Sequence, residues 1–185
     1  MSRTGRIVVT GMGWVTPLGH DIDSVWDALL KGRSGVDRIT RFDAHTFPTT
    51  FAAEVKDYDF RRYVEHADVH ANAAINVQFA LGAARQAWEQ AGLSSFNGLN
   101  RRRVGLYLGA GEGAIDTENY VRTNLAGWDD ASQRVDPARW AEAGLRFMSP
   151  GREIGQEPNM PLSHLAREFG IRGPAYNCLT PSAAS

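Results

Sequence analysis

GPAYNCLTPSAAS, from Gly173 to Ser185, is the stretch whose reading decides the fold. Ala175–Thr180 reads as a strand that runs into a tight turn. A small nucleophile-bearing residue on such a turn, followed by Ala and Ser, is the layout of an acyl-transfer site. The turn lifts one side chain clear of the backbone. A helix starting directly beneath it brings unpaired N–H groups that favour negative charge. The raised position here is Ser182. The sequence stops before that helix can form, so the reading expects a chain truncated just after the turn.

Working outward, Asn159–Phe169 has Leu162, Leu165, Ala166 and Phe169 on one helical face, and Gly170 ends it. Val104–Leu108 reads as a second strand leading into the glycine-rich Gly109–Gly113, with a polar helix after it to about Leu125. Residues 127–158 read as a covering excursion with one short helix near Pro137–Phe147. Residues 72–91 carry the strongest helical pattern. Val77, Leu81, Ala84 and Trp88 fall on one stripe, Ile75, Phe79 and Ala83 widen it, and Gly92 closes it. Nearer the N-terminus, Ser24-Val-Trp-Asp27 has capping-box spacing, with Ser24 as cap and Val25, Trp26, Leu29 and Leu30 as the apolar face. Ile7–Thr10 reads as a buried strand. Residues 33–60 read as loops and short strands anchored by Phe42, Phe47, Phe51 and Phe60. Strands alternating with helices predict an α/β fold with helices packed on a mixed sheet.

The composition bounds the rest. The 185 residues are 43% hydrophobic and 22% charged, with a net charge of −1. That length supports a domain with a real core. The near-zero charge gives no electrostatic case for nucleic acid or an anionic membrane. No apolar run reaches a membrane span, and the N-terminus shows no signal-peptide layout. The single cysteine excludes an intrachain disulfide framework and fits a reducing compartment, so the expected location is cytoplasmic.

The ordered motifs RIVVTGMGWVTPLG (6–19), SVWDALLKGRSGVDRITRFD (24–43), FAAEVKDYD (51–59), GLYLGAGEG (105–113) and LAREFGIRGPAYNCLT (165–180) resemble the N-terminal half of a type II elongating β-ketoacyl-[acyl carrier protein] synthase. The resemblance implies a thiolase-like fold, of which residues 1–185 supply the N-terminal half, with helices packed on a mixed five-stranded-type sheet. It also implies decarboxylative Claisen condensation in fatty-acid or polyketide biosynthesis, on acyl and malonyl groups carried by acyl carrier protein. No metal or organic cofactor belongs to that chemistry. The expected assembly is a homodimer or a pairing with a ketosynthase partner. In the family the last motif continues Thr-Ala-Cys. Here it reads Thr180-Pro181-Ser182, so Ser182 stands at the position of the nucleophilic cysteine. Gly111, Glu112, Gly113 and Thr180 stand at the acyl pocket. The resemblance assigns two catalytic histidines and a lysine to the second half.

Each candidate has two readings. Ser182 is either a serine-dependent acyl site or a lost nucleophile. A hydroxyl is a poor nucleophile without a strong positioned base, and none of the five histidines matches a family base position, which favours the second. On these grounds residues 1–185 alone are expected to be inactive, with the alternative of a non-catalytic partner subunit. Pro181 removes an N–H and keeps Thr180 extended. Glu112 stands where fatty-acid enzymes tend to have an apolar gating residue. A carboxylate there opposes a long alkyl chain, unless it points to solvent. Cys178, on a strand, reads as a small core residue. His66 and His70 have metal-compatible spacing, but HADVH lacks the following glutamate and a third ligand, so a solvated surface is favoured and no metal site is expected. Gly11 and Gly13 fail the dinucleotide fingerprint at Thr16 and Pro17. Arg101–Arg103 is either a carrier-docking run or a solvated loop, and the second is favoured.

Overall fold

The computed structural model describes residues 5–111 and 113–180. Two compact units divide the chain: Met1–Ala67 with Phe79–Asn100, and Asp68–Gln78 with Arg101–Ser185.

In the first unit, α1 spans Ile22–Leu30 and buries Val25 and Ala28. Asp21, rather than Ser24, holds its N-cap. The Asp21 carboxylate accepts the Ser24 backbone N–H at 2.8 Å and the Ser24 hydroxyl at 2.8 Å. Those bonds hold its carboxyl below the usual range. Aspartate caps as well as serine and adds negative charge at the positive helix end, so the helix begins three residues earlier than the serine suggested. The apolar face is also narrower than expected, since Trp26, Leu29 and Leu30 are exposed. Strands β1 (Val36–Arg38) and β2 (Phe51–Ala53) pair antiparallel, with Val36 opposite Ala53. Phe42, Phe47 and Phe51 do not anchor this region: each is more than half exposed, and Phe42 meets Phe47 edge-to-face on the surface. The firmer anchor is the Glu54 carboxylate, which accepts Thr40 N–H at 3.0 Å, Thr40 hydroxyl at 2.8 Å and Arg41 N–H at 3.2 Å.

Helix α2 (Ile75–Gln90) gives its first turn to the second unit and the rest to the first. Its stripe is buried at Val77, Leu81 and Trp88, and Gly92 follows in the left-handed region at φ 70°. Gly11 and Gly13 lie so close to it that a methyl group would collide with the Ala87 and Ala83 carbonyls. Gln90 accepts Met12 N–H at 2.7 Å, and Gln86 donates to the Trp14 and His20 carbonyls. These glycines thus serve close backbone packing on a helix rather than a dinucleotide fingerprint. Ile7–Thr10, expected as a buried strand, joins no sheet, and Ile7 is fully exposed. An extended run becomes a strand only where it pairs with another strand's edge, and Ile7–Thr10 pairs with none among the described residues.

In the second unit, β3 (Leu106–Ala110) and β6 (Ala175–Leu179) form a two-stranded parallel ladder running from Leu106↔Ala175 to Ala110↔Leu179. Between them come α3 (Thr117–Gly127), a small antiparallel pair of β4 (Trp128–Asp129) and β5 (Arg134–Val135), then α4 (Pro137–Phe147), α5 (Pro150–Gly155) and α6 (Met160–Glu168). Asp136 caps α4 by accepting the Ala138 and Arg139 N–H groups, and Pro137 occupies the first turn, where a missing N–H costs nothing. α3 and α4 pack together around buried Thr123, whose hydroxyl returns to the Asn119 carbonyl, and Trp140 donates to Asn124 at 3.0 Å. α6 packs on β3 and β6 through a face that buries Leu162 and Leu165. The described residues therefore hold an α/β arrangement with two-stranded sheets, not the mixed five-stranded sheet expected.

Candidate functional site

The parallel register builds the site. Ala110 lies opposite Leu179, so both strands end at the same level. β3 runs directly into Gly111 and Gly113, and β6 into Thr180. In α/β sheets, ligands bind outside the carboxyl ends of the strands, because loops diverge there and leave a crevice. The structure thus brings together Gly111, Gly113 and Thr180 from distant parts of the sequence. Ser182, Pro181 and Glu112 lie outside the described residues.

Gly113 is held tightly. A side chain there would run into the Gln156 carbonyl at the C-terminal cap of α5. Just beyond, a cleft of about 250 Å³ opens between residues 71–74, Ile115, Asp116, Arg152 and Gly155. Asp116 caps α3, its carboxylate accepting from Asn119 and from Arg152 at 3.1 Å. Burial pushes its carboxyl up, but the bonds from Asn119 and Arg152 outweigh that and hold it below its usual range.

The other candidates find different places. Cys178 stands opposite Gly109 and is half-buried, not fully in the core, since a two-stranded ladder leaves part of each face uncovered. Arg101–Arg103 forms a 3-10 turn, and the Arg101 guanidinium donates to the Phe169 carbonyl at 2.5 Å, so one arginine of the run is tied to the end of α6. His70 corrects the expected solvated surface most sharply. It is 1% exposed and closes the 3-10 turn Ala67–His70. Its Nδ1 is 2.8 Å from His164 Nδ1, and its Nε2 is 3.1 Å from a Glu168 carboxylate oxygen. The residues around His70 offer no clue to its partners, because His164 and Glu168 arrive from α6, more than ninety positions away. Their i, i+4 spacing on one helix was the available signal. Among the described residues no cluster of three or more His, Cys, Asp or Glu side chains is arranged to hold a metal ion.

Residues 4–185 match the family model described as "Beta-ketoacyl synthase, N-terminal domain". This chain belongs to the β-ketoacyl synthase family. It is 37% identical over 177 residues to a 3-oxoacyl-[acyl-carrier-protein] synthase 2 of Coxiella burnetii, covering 95% of this chain and 38% of that relative. It is similar in fold to the ishigamide ketosynthase/chain length factor, with TM-score 0.62 at 24% identity, covering 94% of this chain and 39% of the other. It is similar also to the structure of a type II PKS acyl-carrier protein, AntDE:AntF, in complex with its ketosynthase bound to the hexaketide, with TM-score 0.61 at 16% identity, covering 91% and 40%. The chain spans well under half the length of these ketosynthases. Its fold is the thiolase-like α/β fold, N-terminal half.

Proposed function

We propose that residues 1–185 act as one ketosynthase N-terminal domain, the nucleophile-bearing part of a β-ketoacyl-[acyl carrier protein] synthase-type acyltransferase. The observation that supports this reading is the parallel β3/β6 ladder, whose last pair, Ala110 and Leu179, comes just before Gly111 and Thr180. In the proposed roles, Ser182 occupies the acyl-accepting position. Gly111, Glu112, Gly113 and Thr180 line the acyl pocket, with Glu112 opposing long alkyl chains. Acyl carrier protein presents the acyl and malonyl groups, the assembly is a homodimer, the compartment is the cytoplasm, and no cofactor takes part. Among the described residues no helix is long and apolar enough to cross a membrane.

The 185-residue chain by itself does not condense acyl groups in this reading. The resemblance assigns the histidines and lysine of decarboxylation to a part these residues do not contain, and serine lacks the accessible thiolate of cysteine. Incubating the purified chain with acyl- and malonyl-carrier protein is expected to yield no β-ketoacyl product, and turnover would overturn this.

One observation favours a second reading, a non-catalytic subunit that pairs with a complete ketosynthase. Serine stands at position 182, where the resemblance expects the nucleophilic cysteine. Co-purification with a full-length ketosynthase supports that reading, whereas a cooperatively folding monomer counts against it.

A further inference from the structure

The proposed acyl chemistry leaves His70, His164 and Glu168 without a role, although His70 and Glu168 have side chains only 1% and 2% exposed. Proton counting constrains what this cluster does. A ring nitrogen either donates or accepts, so the 2.8 Å contact between the two Nδ1 atoms needs one N–H and one lone pair. An ionised Glu168 only accepts, so His70 Nε2 carries hydrogen toward it. The neutral pair therefore has His164 Nδ1–H donating to His70 Nδ1, with the His164 Nε2 lone pair free to take a proton. One added proton leaves the bond intact, whichever ring holds it. A second must enter the lone pair that makes the bond, and then the bond cannot exist.

We propose that His70 and His164 form an acid-released latch, holding residues 70–74 to α6 until both rings are protonated. Residues 71–74 wall the cleft beside Asp116 and Arg152, and Asn72 also lines a second cleft of about 220 Å³ with Ser163, His164 and Arg167. Release frees that shared wall. The charged groups beside the pair are Glu168 and Arg167 on α6, with Asp68 on the turn of His70. Burial foremost, then His70 and Arg167, hold the His164 ring below the ordinary histidine range.

The sign follows. An unfolded chain takes a proton on each ring near the ordinary histidine pKa, and the latched chain takes only one readily. Stability from the latch is thus present above that range and is lost as pH falls through it. The test is hydrogen exchange at residues 67–74 of the full chain, corrected for intrinsic rates, from about pH 8 to about pH 5. NMR titration of both rings accompanies it. In the wild type, protection should fall severalfold on acidification, with the rings titrating in two separated, coupled steps. In His164→Gln, protection should be low and flat with pH. Unchanged wild-type protection, independent single-site titration of the rings, or the same acid loss in His164→Gln would each overturn the proposal. Should the variant fail to fold, the wild-type titration and protection decide alone.

Discussion

Ala175–Leu179 and Ile7–Thr10 are both short runs that read as strands, yet only one is a strand. Ala175–Leu179 finds Leu106–Ala110 beside it and forms a parallel ladder of five residue pairs, backed by α6. Ile7, Val8 and Val9 have the stronger β-branched character and remain exposed at 101%, 66% and 81%. Residue preference describes a side chain that suits a pleated surface. The strand itself is made by a partner edge and a cover for one face.

The comparison breaks most readily at Leu165, the α6 residue that is 4% exposed over the ladder. Leu165→Ala should destabilise the chain by about 2–5 kcal/mol in urea unfolding, since it leaves a cavity where α6 meets the strands. A loss near zero would mean the ladder stands without its cover. Gly173→Ala should cost about 1–3 kcal/mol. A methyl there meets the Val104 carbonyl that Gly173 N–H already bonds at 3.0 Å, so the lead-in to β6 must shift. Full tolerance would show that the register of β6 is set elsewhere. Val9→Ser should change the stability of this chain by less than about 0.5 kcal/mol, because no burial is lost. A larger effect would show that Ile7–Thr10 is covered in solution.

Much of the helical framework was legible. The short helix expected near Pro137–Phe147 spans those residues, and Asp136 with Pro137 starts it. α2 and α6 were placed within three residues at either end, with Val77, Leu81, Leu162 and Leu165 correctly inside. The errors share a cause. Trp26, Phe42, Phe47 and Phe51 were read as inward from residue type alone, and nothing local states whether a second layer exists to receive them. Ser24 has the spacing of a cap, but Asp21 offers a charged oxygen one turn earlier. At the site, the turns after β3 and β6 were both visible as glycine- or proline-marked strand ends. Their adjacency followed only from the family resemblance and not from any local signal, since Gly111 and Thr180 are distant in sequence. His70 was judged by its neighbour His66, four positions away, when its partners lay on α6.

By itself, the order of residues determined where most of the helices run and end, and the chain's family, through motifs that recur in fixed order from Arg6 to Thr180. Those are local properties: side-chain periodicity, an acceptor for free N–H groups, a glycine where φ turns positive. Tertiary structure alone decided which strand runs became strands, that Gly111 and Thr180 follow one end of a ladder, and that buried His70 meets half-buried His164. Each of those depends on which distant segment supplies the missing edge, cover or lone pair.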